Sequence, residues 1–169
     1  EAGIPEMCAA LDHLYYDSKN ESIIESLTQV LQCNPKILLA KELLGYTYYN
    51  MQMWGNALSY FEQFEDGKPT SRIFLEGTVY FWMAWCYGKK KDYLKEEEYY
   101  RKSLEALPVG ENTLNNLGYS LYKQRKFKEA QSVFEDCLRQ NRDVRYAANN
   151  LVRTLLAQGK NGEAQRVIQ

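Results

Sequence analysis

Apolar positions along this chain fall into paired helical stripes. Over Asn115–Phe134, Leu117 and Gly118 sit together, Leu121 follows at helical spacing, a polar turn runs through Lys126, and Ala130 precedes Phe134. Gly118 and Ala130, twelve residues apart, read as small residues that let two antiparallel helices approach. The pattern recurs. A step of 34 forward carries Leu117, Leu121, Ala130 and Phe134 to Leu151, Leu155, Ala164 and Ile168, while Gly118 lands on Val152. A step of 34 back reaches Met83, Ala84, Tyr87 and Tyr100, with Glu96 in the place of Ala130. The next step is 39 and reaches Leu44, Gly45, Tyr48, Trp54, Ala57 and Phe61; a last 34 reaches Ala10, Leu11, Leu14 and Leu27. Prolines agree, since Pro35 and Pro69 are 34 apart and Pro69 and Pro108 are 39 apart.

Taken in order, the pattern predicts an opening helix from Pro5 to about Asp17, with Met7, Ala10, Leu11 and Leu14 on one face. Ser18 and Glu21 form a capping box for a second helix carrying Ile23, Ile24, Leu27, Val30 and Leu31, which Asn34-Pro35 ends. Helices follow over about 36–51 and 54–65, and Asp66-Gly67-Lys68-Pro69 is a turn. Thr70 or Ser71 caps the next helix, whose start the five inserted residues lengthen; it runs to about Tyr87. Its partner spans about Asp92–Leu107, and Pro108-Val109-Gly110 closes that hairpin. Two more pairs are expected over 111–124 with 127–140, and 143–157 with 161 onward, with Asp143 as a cap and Arg142 where earlier boundaries have proline.

A period of 34 residues, a helix–turn–helix repeat and recurring Leu-Gly, Tyr, Ala, Phe and Pro resemble the tetratricopeptide repeat family. The register gives one array of repeats at 4–37, 38–71, 77–110, 111–144 and a truncated 145–169, with 72–76 inserted. The resemblance implies an all-α solenoid of stacked helical hairpins wound as a right-handed superhelix. It also implies that the first helix of each pair lines a concave side.

Composition narrows the function classes. With 45% hydrophobic residues and 14% aromatics there is ample material to bury. No apolar run reaches the ~20 residues that span a bilayer. The chain opens on Glu1 rather than Met and stops within a repeat, so it reads as part of something longer. Cys8, Cys33, Cys86 and Cys137 show no CxxC spacing, and Cys86 and Cys137 fall on inward faces; reduced thiols in the cytoplasm are the expectation. The net charge of −1 hides a gradient: −4 over 1–37, −2 over 38–76, +1 over each of 77–110 and 111–144, and +3 over 145–169. The basic end suits an acidic partner, or solvated faces simply drift in charge.

Signatures of catalysis are missing from the sequence. His13 has no second ligand at helical spacing and lies five residues from Cys8 on one helix, so neither a metal site nor a nucleophilic pair forms. Gly159-Lys160 lacks the remaining residues of a phosphate loop. Glu96-Glu97-Glu98, flanked by Lys89-Lys90-Lys91 and Lys95, reads as a solvated helix face, and an acidic chain is a poor nucleic-acid binder. No cofactor, metal or catalytic residue is expected.

What remains is a binding surface. Tyr46, Trp85, Tyr119 and Arg153 share one place in successive repeats, as do Tyr15, Tyr49, Gly88, Tyr122 and Leu156. Rings with hydroxyl tips suit an extended peptide; the alternative is that they pack between neighbouring helices. Asn116 and Asn150 share another place, preceded by Asn115 and Asn149, where earlier repeats have Ala9, Leu43 and Trp82. An amide can pair with peptide backbone without reading sequence, or it can bridge helices. Some family members that bind peptides use asparagine there. The family's carboxylate clamp needs basic residues where this chain has Cys8 and Asp12, so that mode is not expected. The expected function is non-enzymatic binding of a partner protein or peptide by Tyr46, Tyr49, Trp85, Asn115, Asn116, Tyr119, Tyr122, Asn149, Asn150 and Arg153. The alternative is a structural spacer that self-associates through its open C-terminal end, where Val167 and Ile168 would lie partly exposed.

Overall fold

The structure, a computed structural model, describes residues 7–8, 20–64, 76–107, 110–141 and 144–168, with Glu76 by its backbone alone. The expected opening helix beyond Met7, the Ser18 cap, the turn at Asp66–Pro69, the cap at Thr70 or Ser71, residues 72–75 of the insertion, Pro108, Val109, Arg142 and Asp143 lie outside the described residues, as do Ala9, Asp12, His13 and Tyr15.

Among the described residues the fold is all-α. Its helices are α1 (Asn20–Cys33), α2 (Leu38–Asn50), α3 (Trp54–Phe61), α4 (Glu76–Lys89), α5 (Tyr93–Ala106), α6 (Glu111–Lys123), α7 (Phe127–Gln140), α8 (Arg145–Ala157) and α9 (Asn161–Ile168). They match the expected hairpins within a few residues; α3 stops at Phe61, short of the expected Glu65. The chain divides into two compact units, Glu1–Cys86 and Tyr87–Gln169.

In the first unit, Ile23, Leu27 and Val30 of α1 lie one helical turn apart and pack on Ala40, Leu43 and Leu44 of α2. Helix α3 closes the next hairpin with Ala57, Leu58 and Phe61 buried. A Cβ at Gly45 would meet the Phe61 ring at 2.5 Å, so glycine is what lets that ring lie flat against α2.

In the second unit, α6 and α7 repeat that packing. A Cβ at Gly118 would stand 2.6 Å from the Phe134 ring. The atoms nearest Gly118 thus belong to Phe134, while Ala130, its expected counterpart, is fully buried beside the same seam. Leu151 and Leu155 of α8 and Ala164 of α9 bury the equivalent positions one repeat on.

Each hairpin turns in the same way. Gln52, Lys91, Arg125 and Gly159 adopt φ of 59°, 63°, 62° and 76°. The next residue returns its N–H to the last turn of the preceding helix: Met53 to Tyr48 O at 2.9 Å, Asp92 to Tyr87 O at 3.0 Å, Lys126 to Leu121 O at 2.9 Å and Lys160 to Leu155 O at 2.9 Å. Asp92 additionally caps α5 by accepting from the Lys95 N–H.

A polar clamp joins successive hairpins of the second unit. Gln124 Nε2 donates to Tyr93 O and to Glu97 Oε2, both at 2.9 Å, and Lys126 Nζ reaches the same Glu97 oxygen at 2.7 Å. One repeat on, Gln158 Nε2 donates to Phe127 O at 3.3 Å and Gln131 Oε1 at 3.0 Å, and Lys160 Nζ reaches Gln131 Oε1 at 3.0 Å.

One expectation fails here. Glu96 is buried, with 7% of its surface exposed, and is not part of a solvated face. It takes the register place of Ala57, Ala130 and Ala164, and its carboxyl fills the space above Gly88, where a Cβ would stand 2.2 Å from Oε1. Glu97 is likewise largely covered, whereas Glu98 is exposed and pairs with Lys102 at 2.7 Å.

Candidate functional site

The expected binding residues occupy two separate settings. In the first unit, Tyr46 and Tyr49 of α2 converge on Trp82 of α4, with ring centroids 4.8 and 5.9 Å away. Phe61 stacks on Trp82 at 5.9 Å, and Trp54 meets Tyr49 edge-on at 5.9 Å. Burial lifts the Tyr49 phenol above its ordinary pKa, with Cys86 and Tyr46 adding to the effect. These two tyrosines are half-buried members of a cluster between α2 and α4, in line with the packing alternative. Trp85 is half-buried and stacks on Phe81 at 6.4 Å, one turn away on the same helix. Trp82, the hub of the cluster, stands in the register place of Asn116 and Asn150.

The second unit carries the more exposed set. Along α6, Asn112, Asn116, Tyr119 and Lys123 fall at helical spacing on one face; along α8, Tyr146, Asn150, Arg153 and Ala157 do the same 34 residues later. Tyr146 donates its hydroxyl to Asn112 Oδ1 at 2.6 Å, and Asn150 Nδ2 donates to Asn115 Oδ1 at 2.9 Å. Asn115 Nδ2 in turn donates to Asn116 Oδ1 at 3.3 Å. These bonds sew the two helices row to row. Of the two readings of the asparagines, the structure shows the bridge between helices.

Beyond the amide row the surface opens. Tyr119 is 38% exposed, Tyr146 43% and Leu156 52%. Asn149 and Arg153 are exposed, and Tyr122 is half-buried against Phe127, with centroids 5.5 Å apart. Lys123 lies over the Tyr119 ring at 5.2 Å. Asn112, Tyr146 and Lys123 were missed by the sequence reading. The signal for the first two was the 34-residue step itself, which joins two residues of different chemistry and so leaves no repeated letter to notice.

Of the cysteines, Cys86 and Cys137 are buried and Cys8 and Cys33 are exposed, and none of the four is joined in a disulfide. Among the described residues no helix is long and apolar enough to cross a membrane.

A tetratricopeptide repeat model matches residues 77–108 and a second matches residues 112–139. Among solved structures, a crystal structure of MamA protein superposes with a TM-score of 0.85 at 12% identity, covering 98% of this chain and 87% of that one. YrrB, described as a TPR protein with an unusual peptide-binding site, superposes with a TM-score of 0.83 at 17% identity, covering 98% of this chain and 82% of that one. At these identities the likeness establishes a shared fold of stacked helical hairpins. No curated protein matches the chain in sequence.

Proposed function

We propose that this tetratricopeptide repeat protein is a non-enzymatic binding module that holds a segment of a partner protein on the faces of its first helices, with α6 and α8 as the principal surface. Repeats of this family generally form protein-interaction surfaces rather than catalytic sites, and the fold is shared with YrrB, a protein described by its peptide-binding site. The observation that carries the reading is the pair of rows sewn by Tyr146–Asn112 and Asn150–Asn115. Those bonds hold the two rows together before any ligand arrives, which lowers the ordering cost of binding. Tyr119, Asn149 and Arg153 project beside it. The half-buried Tyr46, Tyr49 and Trp85 contribute less, because rings committed to packing have little area left for a ligand.

Selection from a library of extended peptides, followed by Tyr119→Ala and Asn149→Ala, tests the proposal. Selected peptides should lose most of their affinity for both variants while far-ultraviolet circular dichroism is unchanged. Peptides that bind both variants as tightly as the parent would place the site elsewhere. A second reading, self-assembly through α9, draws on Ile168, which is 72% exposed. It calls for a mass that rises with concentration in light scattering and returns to that of a monomer in Ile168→Glu.

A further inference from the structure

We propose that the second unit carries a membrane-docking edge: the tips of its hairpin turns, with Lys89, Lys90, Lys91, Arg125 and Lys128 around the protruding Leu94, settle on an anionic lipid surface. This edge lies at the ends of the hairpins, apart from the helix faces discussed above, and its occupant is additional to a partner held there.

Charge is concentrated at these turns. Residues 89–95 carry +3 and residues 123–129 carry +3. The corresponding turn of the first unit, residues 50–56, carries no charge. The connections at the other ends of the second unit's hairpins, residues 105–111 and 139–145, carry −2 and +2. The clamp brings the two basic turns together: Gln124 and Lys126, on either side of Arg125, bond to Tyr93 O and Glu97 at the start of α5. Acids on this edge are already engaged. Asp92 accepts the Lys95 N–H, Glu97 pairs with Lys126 and Arg101, Glu129 pairs with Arg101, and Glu96 is buried. Lys90, Lys91, Arg125 and Lys128 are exposed, and among the described residues none of them meets a carboxylate.

Leu94 decides between kinds of anion. It is 71% exposed and lies one turn before Glu97, hence beside Lys126 and the second basic turn. Other repeats hold its register place with Gly55, Lys128 and Gly162, and a Cβ at either glycine meets nothing within 4 Å. That place faces open space, so packing does not account for the leucine. An apolar side chain ringed by lysines matches a bilayer, where ammonium groups stay among the headgroups and the leucine reaches the acyl boundary. Lysines on flexible stems act as point charges, which suits a diffuse anionic surface rather than the forked geometry of a single carboxylate or phosphate. Nucleic acid fits less well: a phosphate backbone offers Leu94 no apolar partner, and single strands need open ring faces. Tyr87 and Tyr99 stack on each other at 5.4 Å with Lys95 and Lys102 over them, and Tyr122 packs on Phe127.

Vesicle flotation with the full chain tests the edge. The probes are vesicles of phosphatidylcholine alone and vesicles with about one-third phosphatidylserine. The anionic vesicles should hold the protein at least tenfold more tightly, and rising salt should weaken that binding. The triple change Lys90→Gln, Lys91→Gln and Arg125→Gln should cut binding about tenfold and flatten the salt dependence. Leu94→Ser should cut it several-fold while leaving the salt dependence as it was. Far-ultraviolet circular dichroism of both variants should match the parent. No preference for anionic vesicles, or a triple variant that binds them as the parent does, would overturn the edge. Vesicle binding unchanged in Leu94→Ser would overturn the lipid surface and leave a general polyanion site. Oligothymidylate or polyglutamate bound more tightly than the anionic vesicles would do the same, and would assign that site to nucleic acid or to an acidic protein.

Discussion

Glu96 is the residue whose chemistry departs furthest from its neighbours in register. Burial drives its pKa up to about 7, against the pull of its hydrogen bond with Ser120 and the charge of Lys89. Its Oε2 has no hydrogen-bond partner. The groups that bear on its charge are Lys89 on α4 and Ser120 on α6. A carboxyl whose folded pKa lies above its unfolded value stabilises most below about pH 4.5, and that contribution is lost as pH rises through about 7. The full swing is on the order of 3 kcal/mol. Glu96→Gln, which keeps the shape and removes the titration, should therefore raise the urea midpoint at pH 8 and change it little at pH 5. Equal effects at the two pH values would mean that Glu96 does not titrate in this range. Arg125, with φ of 62°, gives a second test at this scale. Its counterpart one repeat on is Gly159, so Arg125→Gly should be neutral or stabilising by up to about 1 kcal/mol, and Gly159→Ala destabilising by a similar amount.

At the scale of the hairpin, the deciding contact is a ring over a glycine. Phe61 lies on Gly45 and Phe134 on Gly118, each sixteen residues beyond its glycine. Gly118→Ala forces a fully buried ring to shift in a packed seam, at a cost of about 1–3 kcal/mol. The double change Gly118→Ala with Phe134→Leu should recover part of that loss, and thermal denaturation of the two variants and their parent measures the coupling. Hairpins were legible from sequence because a buried helix pair admits few side-chain sizes at few places, and those sizes recur every 34 residues. The end of α1 was legible because Asn34-Pro35 punctuates it. Three turns instead place Gln52, Lys91 and Arg125 at positive φ, where the residue gives no warning. The site was half legible. Repetition marked Asn116 with Asn150 and Tyr119 with Arg153, yet whether a half-apolar ring faces solvent or a neighbour depends on what sits across from it. Trp82 draws Tyr46 and Tyr49 inward, whereas Asn150, which stands to Tyr119 in the register as Trp82 stands to Tyr46, leaves Tyr119 exposed.

For the molecule as a whole, stability in a repeat protein comes from each hairpin and from its interface with the next. The clamp from Gln124 and Lys126 to Tyr93 and Glu97 makes that second contribution visible as named bonds, and the copy from Gln158 and Lys160 to Phe127 and Gln131 shows that it belongs to the register. The first copy pairs its lysine with a carboxylate and the second pairs it with an amide. Burial alone would raise the Glu97 pKa, but hydrogen bonds from Lys126, Arg101 and Gln124 prevail and hold it below the ordinary carboxylate value. A carboxyl depressed in this way stabilises above its unfolded pKa and loses that contribution as pH falls through its folded one, the reverse of Glu96. Glu97→Gln turns the first clamp into the chemistry of the second. It should cost about 1–2 kcal/mol at pH 7, and the cost should shrink as pH falls through the lowered folded pKa of Glu97. Gln124→Ala removes the bonds from the turn to Tyr93 and Glu97 while leaving Lys126 in place. If the clamp carries cooperativity between hairpins, urea unfolding of Gln124→Ala should broaden, and hydrogen exchange should show α8–α9 opening at lower free energy only when Gln158, not Gln124, is the residue replaced. Uniform loss of protection across α5–α9 in both variants would show that these bonds stabilise the unit without dividing it.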